Sequence, residues 1–329
     1  MPGSLADEEV LVTGGAGFLG SHLARKAVNL GARVTICDNL REGSLGNIRD
    51  LRKHVKLVRE DIVNAQAVER VIKDKAYVFH FAGNASMPKS VENPTFDMQN
   101  NLIGTYNVLK SIVDNESETT LLFSSSAAVY GEPKKLPMRE DHPLNPVSPY
   151  GTSKLAAEEY CRLFTKLYGL RSVCLRFFNV YGPDQTRNIH HDVMKKIVNS
   201  KETLQMLGTG KEVRDFVHID DAIDATLKLA EQSKTFSGMA INVGRGIGTS
   251  IDQLVRIFLN VLQCEREVAF EGRQRKGDIS ALIAENGRLQ RAGKTNFRPL
   301  ENGIREFAEH WLAKNRAVLH RKSLEVIEA

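Results

Sequence analysis

Several scarcities narrow the chemistry open to this sequence. Its 329 residues contain only four cysteines, Cys37, Cys161, Cys174 and Cys264. None sits at metal-ligand spacing and no secretory signal precedes them, so they are expected as reduced, mostly buried thiols of a cytoplasmic protein. No apolar run approaches the ~18 residues of a membrane span, which leaves no membrane partner to expect. Neither sign of charge dominates: the net charge is +5 and is spread along the chain. That balance makes no case for nucleic acid, but it suits an anionic small molecule. Internal repeats and low-complexity segments are missing, and Met1–Asp7 reads as a disordered start. What is present is ordinary for a globular protein, 42% apolar and 26% charged. The length suggests roughly two domains with a core large enough to be stable unaided.

Strand and helix patterns alternate through the first half. "EVLVTGGAGFLGSHLARKAVNLGARVTICDNL" reads as a strand at Val10–Val12, a glycine turn, a helix at Ser21–Asn29 and a strand at Arg33–Cys37. The rhythm continues with a strand at Val55–Arg59, a helix at Ala65–Lys73 and a strand at Tyr77–Phe81. A long helix at Pro94–Val113, a strand at Thr120–Ser124, a helix at Tyr150–Tyr168 and a strand at Arg171–Phe177 follow. Short β-branched strands between helices predict an α/β fold, a doubly wound parallel Rossmann-type sheet. After about Asn179 turn-rich, charged segments separate shorter helices, which predicts a smaller, discontinuous α+β C-terminal domain. "FVHIDDAIDATLKLAE" is expected to return to the main sheet. The expected division is residues 1–178 plus about 214–244 for a dinucleotide domain, and 179–213 with 245–329 for a substrate domain.

Gly14, Gly17 and Gly20 stand between a predicted strand and helix, the context a dinucleotide fingerprint requires. Asp38 ends the next predicted strand and is placed to bind the adenosine ribose and repel a 2′-phosphate, which favours NAD over NADP. Arg41 would argue the other way, but a solvated loop arginine is its plainer reading. Downstream, Ser124, Ser125 and Ser126 end a strand at the crest where such folds bind ligands. Serines also end strands for turn chemistry alone. Tyr150 and Lys154 lie four apart at the start of a helix and so share one face.

The ordered set TGGAGFLG, DNL, HFAG, FSSSAAVYG, PYGTSK and RFFNVYGP resembles the extended short-chain dehydrogenase/reductase family, and within it the nucleotide-sugar 4-epimerases of the UDP-galactose 4-epimerase type. The resemblance implies that Tyr150 is the catalytic base, Lys154 its partner and holder of the nicotinamide ribose, and Ser126 the hydroxyl bridging tyrosine and sugar. A free phenol titrates at about 10, and an adjacent ammonium and a positive nicotinamide would both favour phenolate. The resemblance also implies that Phe18, Leu19, Asn39, Leu40, Asp61, Ile62, Phe81, Ala82, Gly83, Asn100, Ser124 and Phe178 line NAD. Asp61 would meet the adenine amino group. His80 is left as a structural histidine.

For the substrate, the resemblance implies that Arg214 and Arg275 grip a diphosphate, Asp278 holds a nucleotide ribose, Asn179 lies near the diphosphate and Leu282 flanks the hexose. Guanidinium suits the diphosphate because it binds phosphate oxygens bidentately. Sugar dehydratases of this family resemble one another in having Thr-Asp-Glu where this chain has Ser126, Ala127 and Ala128, and the glucuronate decarboxylases carry a glutamate at Ala128. Alanines have nothing to titrate, so both reactions are disfavoured. The expected activity is therefore 4-epimerisation of an NDP-sugar, a UDP-hexose first, with NAD kept bound and regenerated. The alternatives are a net NAD-dependent oxidoreductase, epimerisation at another carbon, or a GDP-, CDP- or dTDP-sugar. His190, His191 and Asp192 replace asparagines that flank the nucleotide in UDP-galactose epimerases. A metal there is not expected, because sequence neighbours point in different directions. Ala85 stands where some of these epimerases carry a lysine. A homodimer through a four-helix bundle of Pro94–Val113 and Tyr150–Tyr168 is the family's habit, although Ala156, Ala157 and Cys161 could equally face the chain's own core.

Overall fold

The computed structural model describes residues 5–116, 118–200, 202–273 and 279–325. Strand β1 (Glu9–Thr13) leads through the glycine turn into α1 (Phe18–Asn29) and then β2 (Arg33–Cys37). There follow β3 (Val55–Val58), α2 (Ala65–Ile72), β4 (Tyr77–His80), α3 (Met87–Glu92), α4 (Pro94–Met98), α5 (Gly104–Asp114), β5 (Thr120–Ser126), α6 (Pro149–Tyr168) and β6 (Arg171–Phe177). The second half runs β7 (Asn179–Tyr181), α7 (Asn188–Asn199), β8 (Thr203–Met206), β9 (Val213–His218), α8 (Ile219–Glu231) and β10 (Met239–Val243). It ends with β11 (Gly248–Ser250), α9 (Ile251–Val261), β12 (Glu267–Phe270), β13 (Ala281–Leu282), α10 (Gly287–Arg291) and α11 (Leu300–Glu325). None of these helices is long and apolar enough to cross a membrane.

Seven parallel strands form the main sheet in the order β10-β6-β5-β4-β1-β2-β3. The order reverses at β1 and β4, which opens a crevice at the carboxyl ends of the strands. Alternation along each strand supplies two layers. Val10 and Val12 pack with Leu23 and Ala27 of α1 and Ala225 of α8, while Leu11 packs with Ile72 of α2, Ile112 of α5 and Ala157 of α6. Leu122 of β5 faces the first layer, and Leu121 and Phe123 face the second. Burying each such side chain contributes about 1.5–3 kcal/mol. Cys37, Cys161 and Cys174 are buried, Cys264 is half-buried, and all four are free thiols.

Two expectations change. The helix expected over Pro94–Val113 is interrupted by a π-helical turn at Gln99–Ile103. There the Thr105 hydroxyl takes the Asn101 carbonyl at 2.7 Å, and the Asn101 side chain turns inward to Asp97 and Asn84. The return to the main sheet comes one element later than expected. Strand β9 belongs to a smaller sheet with β11, β13 and β7, while α8 packs beneath the main sheet and β10 pairs with β6. Strand β9 cannot do both, since β7 and β13 flank it in parallel and β11 runs antiparallel beside it.

A third core, between the small sheet and helices α7, α9 and α11, contains Phe216, Met194, Phe258 and Phe307. His190 belongs to this core. Its ring stacks on Tyr181 at 4.5 Å, its Nε2 has no partner, and burial lowers its pKa to about 3. His191 accepts from Trp311 Nε1 at 3.0 Å, and Asp192 pairs with Lys196 at 3.1 Å. Three neighbours thus face three ways, each with a protein group against it. Because the folded form holds His190 neutral, its contribution is complete above its ordinary 6.5 and is lost as pH falls toward about 3. His190→Phe should therefore match or exceed the wild-type melting temperature at neutral pH and lose less of it on acidification. Thermal denaturation at two pH values measures this, and equal acid losses would refute the core assignment.

Candidate functional site

Sterics shape the first part of the crevice. Gly14 turns at φ +68°, where a Cβ would stand 2.7 Å from Ala82 N, and a Cβ on Gly20 would collide with the Gly14 carbonyl. Helix α1 starts behind Gly17 without a side-chain cap and with no acid in its first turn. Its first N–H groups and its dipole are thus available to an anion such as a pyrophosphate. At the end of β2 the buried Asp38 carboxylate accepts from Ala16 N at 2.9 Å and Leu40 N at 2.8 Å. Burial raises its pKa and the two backbone N–H groups lower it. Asn39 donates to Asp61 at 2.9 Å. Arg41 is more than a loop cation: its guanidinium lies over the Phe96 ring at 5.1 Å and 3.8 Å from Asp61. An uncapped helix, a glycine cradle that no Cβ could share and a carboxylate on the next strand together fit a dinucleotide.

Other expected lining residues are mixed. Phe18, Leu19 and Phe81 are partly buried against the first core layer, and Ala82 against the second. Gly83 adopts φ +148° against Asn101. Three side chains turn elsewhere. Ile62 is a core residue pressed on Gly104, Asn100 Nδ2 is spent on Phe96 O at 2.8 Å, and Phe178 packs with Tyr130 and Leu282.

Helix α6 sets the second part. Ser148 caps it by accepting from Gly151 N at 3.2 Å, Pro149 opens it, and Gly169 at φ 71° closes it. That start places Tyr150 and Lys154 on the first turns, facing the end of β5. Ser126 acts on the phenol so as to favour its ionised form, and Lys154 Nζ donates to Ser124 O at 2.8 Å while lying 5.0 Å from the Phe123 ring centre. Burial pushes the phenol up, the Ser126 bond pulls it down, and Asp97 pushes it up. The expected lowering of the phenol is therefore not a property of the protein groups alone, since desolvation outweighs them. Burial brings Lys154 down to about 8, against the opposing fields of Asp97, Cys161 and Glu158. His80 is buried and neutral, at about 3 through desolvation, and is held between Thr13 at 2.6 Å and Thr105 at 3.0 Å.

The small sheet supplies the third part. Asn179 opens β7 directly after the end of β6, and Arg214 of β9 pairs in register with Leu282 of β13. Leu282 is buried with Ala127, Phe178 and Ala284, next to the end of β5. Arg275 and Asp278 lie outside the described residues. Ser280, just beyond them, is anchored to Glu132 at 2.7 Å.

This arrangement can be compared with known proteins. Residues 10–244 match the model of the "NAD dependent epimerase/dehydratase family". The chain belongs to that family. It is an NAD-dependent epimerase by kinship. A putative UDP-glucose 4-epimerase of Methanocaldococcus jannaschii is 33% identical over 93% of this chain and 99% of that protein. The UDP-N-acetylglucosamine 4-epimerase of Methanobrevibacter ruminantium, solved with UDP-N-acetylmuramic acid, is 32% identical with a TM-score of 0.85 over 94% of this chain and 99% of that one. The Thermotoga maritima UDP-glucose 4-epimerase, solved with UDP-glucose, is 30% identical with a TM-score of 0.86 over 93% and 99%.

Two polar clusters of this epimerase carry no motif and escaped the sequence reading. Asp97, fully buried, accepts from Asn84 at 2.7 Å and Asn101 at 2.9 Å and sends its field to both Tyr150 and Lys154. Glu158, one turn beyond Lys154, is buried against Ser125 and Arg176. Its signal was present, since Tyr150, Lys154 and Glu158 recur at i, i+4 and i+8. One further group, His218, Asp220 and Glu306, converges as metal ligands would. Its centre is taken by Arg298, 2.9 Å from Asp220 and ion-paired to Glu306. The glycine cradle is testable directly. Gly20→Ala should cost about 1–3 kcal/mol by overpacking and weaken NAD binding, as read by denaturant titration and cofactor retention. Unchanged values would mean that α1 tolerates a wider approach.

Proposed function

We propose that this enzyme is a 4-epimerase of a UDP-hexose that works with tightly bound NAD. The observation that carries the reading is the Ser126–Tyr150–Lys154 arrangement at the end of β5, with only the buried alanines Ala127 and Ala128 beside it. One base and no second acid suit the removal and return of a hydride at a single carbinol, and do not suit loss of water. NAD, when bound between the α1 N-terminus, Asp38 and Lys154, supplies the hydride acceptor and a positive ring that favours phenolate. Tyr150 takes the proton of the C4 hydroxyl and later returns it. Ser126 bridges phenol and sugar and keeps that proton on a short path. Lys154 holds a ribose and contributes positive field near the phenol. Arg214 and Arg275 hold the diphosphate, Asn179 and Asp278 lie along the nucleotide, and Leu282 limits the space around the hexose. The reduced face is chosen by how the bound keto-sugar turns, not by a second protein group. The kinship with proteins named for UDP-glucose and UDP-N-acetylglucosamine supports a uracil nucleotide.

We assign the dinucleotide to the main sheet with its helices and the sugar to the small sheet with residues 245–325. We also propose a homodimer through α5 and α6. Ile103, Tyr160, Leu163 and Leu167 are exposed apolar residues on or beside these helices, whereas Ala157 and Cys161 face the chain's own core. Sedimentation should give twice the 36.7 kDa chain mass, and a monomer at micromolar concentration would overturn this.

Interconversion at C4 should be visible by NMR on a panel of UDP-, GDP-, CDP- and dTDP-hexoses without added NAD. NADH accumulating only on supply of NAD would make the protein a net oxidoreductase instead. Tyr150→Phe should keep its NAD and fold but lose at least ~100-fold in rate. Full activity in that variant would refute the mechanism.

A further inference from the structure

Behind the catalytic serine lies a buried ion pair that the mechanism above does not use. Glu158 and Arg176 are both almost fully buried, with Arg176 Nη2 2.7 Å and Nε 3.0 Å from the carboxylate. Their other contacts lead in two directions. Toward the site, Ser125 Oγ donates to Glu158 at 2.5 Å. Ser125 sits between Ser124, whose carbonyl holds Lys154, and Ser126, which lowers the pKa of Tyr150. Away from it, Arg176 Nη1 donates to Tyr130 Oη and to Glu140 O, both at 3.0 Å. Tyr130 donates to Asn242 Oδ1 at 2.6 Å, and Asn242 Nδ2 donates to Met138 O at 2.8 Å and Glu285 O at 2.9 Å. Met138 also bonds Ile283 O at 2.7 Å, so the chain ends on the wall that carries Leu282.

Such a pair is a weak source of stability, because the desolvation of two buried ions roughly cancels their attraction. It fixes geometry well, because a bidentate guanidinium–carboxylate contact admits few arrangements. Ser124 and Ser125 of β5 hydrogen-bond to α6, at Lys154 and Glu158 respectively, and the next residue, Ser126, acts on Tyr150. Glu158 is the charged contact nearest the middle of the helix, where α6 is otherwise held by apolar packing of Ala157 and Cys161 and, farther along, by Thr165 on Ser172 at 2.8 Å. We propose that Glu158 and Arg176 are positioning residues of the epimerase, holding α6 in phase with β5 and, through Tyr130 and Asn242, tying the catalytic triad to the wall that bounds the sugar. The inference rests on the proposed role of Tyr150 as base.

The test removes both charges together, so that neither is left buried alone. Glu158→Leu/Arg176→Met in the NAD-containing enzyme should keep its melting temperature near wild type. It should lose about 10- to 100-fold in kcat, the scale of a misplaced catalytic group. The titration of Tyr150, read as tyrosinate absorbance of each protein minus its Tyr150→Phe counterpart, should move upward as the Ser126 bond loosens. Ser126 from β5 and Asp97 from α4 act on Tyr150 and are not altered, while Lys154, one turn along α6, loses the field of Glu158 in the pair variant but keeps it in Ser125→Ala. If the pair variant does not fold, Ser125→Ala deletes one hydroxyl and no charge and should shift kcat and the titration the same way, by a smaller amount. A folded variant with wild-type kcat and an unmoved titration overturns the proposal, as does a loss confined to melting temperature. Failure of the wild type to convert any sugar would sink the proposed function alone, since the phenol titration needs no substrate.

Discussion

A buried ammonium is the constraint around which this site is built. Lys154 has lost nearly all contact with water, and leaving a charge so placed without partners costs several kcal/mol. The chain meets that cost with the Ser124 carbonyl, the face of Phe123 and the fields of Asp97 and Glu158. These partners come from three places: the end of β5, the short helix before the π-turn, and the next turn of α6 itself. Placing one charge therefore requires three elements to meet at one point, and Tyr150 and Ser126 are brought together by the same requirement. The lysine ends up with a depressed pKa, and the phenol beside it with a raised one.

The crevice is asymmetric about that point. On one side, toward β2 and β3, it is mostly backbone, a glycine turn and a free helix terminus, with one side chain, the Asp38 carboxylate, already fixed by two N–H groups. Backbone walls suit a cofactor that stays, because their geometry is set by the fold and costs no reordering of side chains. On the other side, β7 leaves the end of β6 and builds the small sheet, which presents Asn179, Arg214 and Leu282. In the proposed function side chains do the recognition there, where members of one family can diverge in substrate without disturbing the sheet.

Much of this was legible in the sequence, for physical reasons that differ by region. Buried parallel strands must be apolar and β-branched, so β1, β2 and β5 stood out. The glycine spacing and the Tyr150–Lys154 pair were visible because both depend on local periodicity. The π-turn at Gln99–Ile103 was not, since it is stabilised by Asn101 reaching Asp97 and Asn84, contacts that no local pattern encodes. The roles of the histidines at 190 and 191 stayed open in the sequence for the same reason, since no local pattern tells that one is a core aromatic and the other an acceptor for Trp311. Ile62, Asn100 and Phe178 resemble cofactor-lining residues by position, but their side chains serve the core or their own helix.

The buried polar chain from Ser125 to Asn242 fits the demands of a reaction run in both directions. In the proposed mechanism the base that takes the C4 hydroxyl proton and later returns it has no second acid beside it, given Ala127 and Ala128. What can move is the substrate, so what must not move is the triad. An apolar contact between α6 and β6 would be at least as stabilising, but it would allow the helix to slide, because dispersion contacts have no preferred direction. Hydrogen bonds to a carboxylate and a guanidinium do have one. The chain has accepted a pair of buried charges of little net stability in exchange for a helix whose rotation and height are set at two points, by Ser148 at its start and Glu158 in its middle.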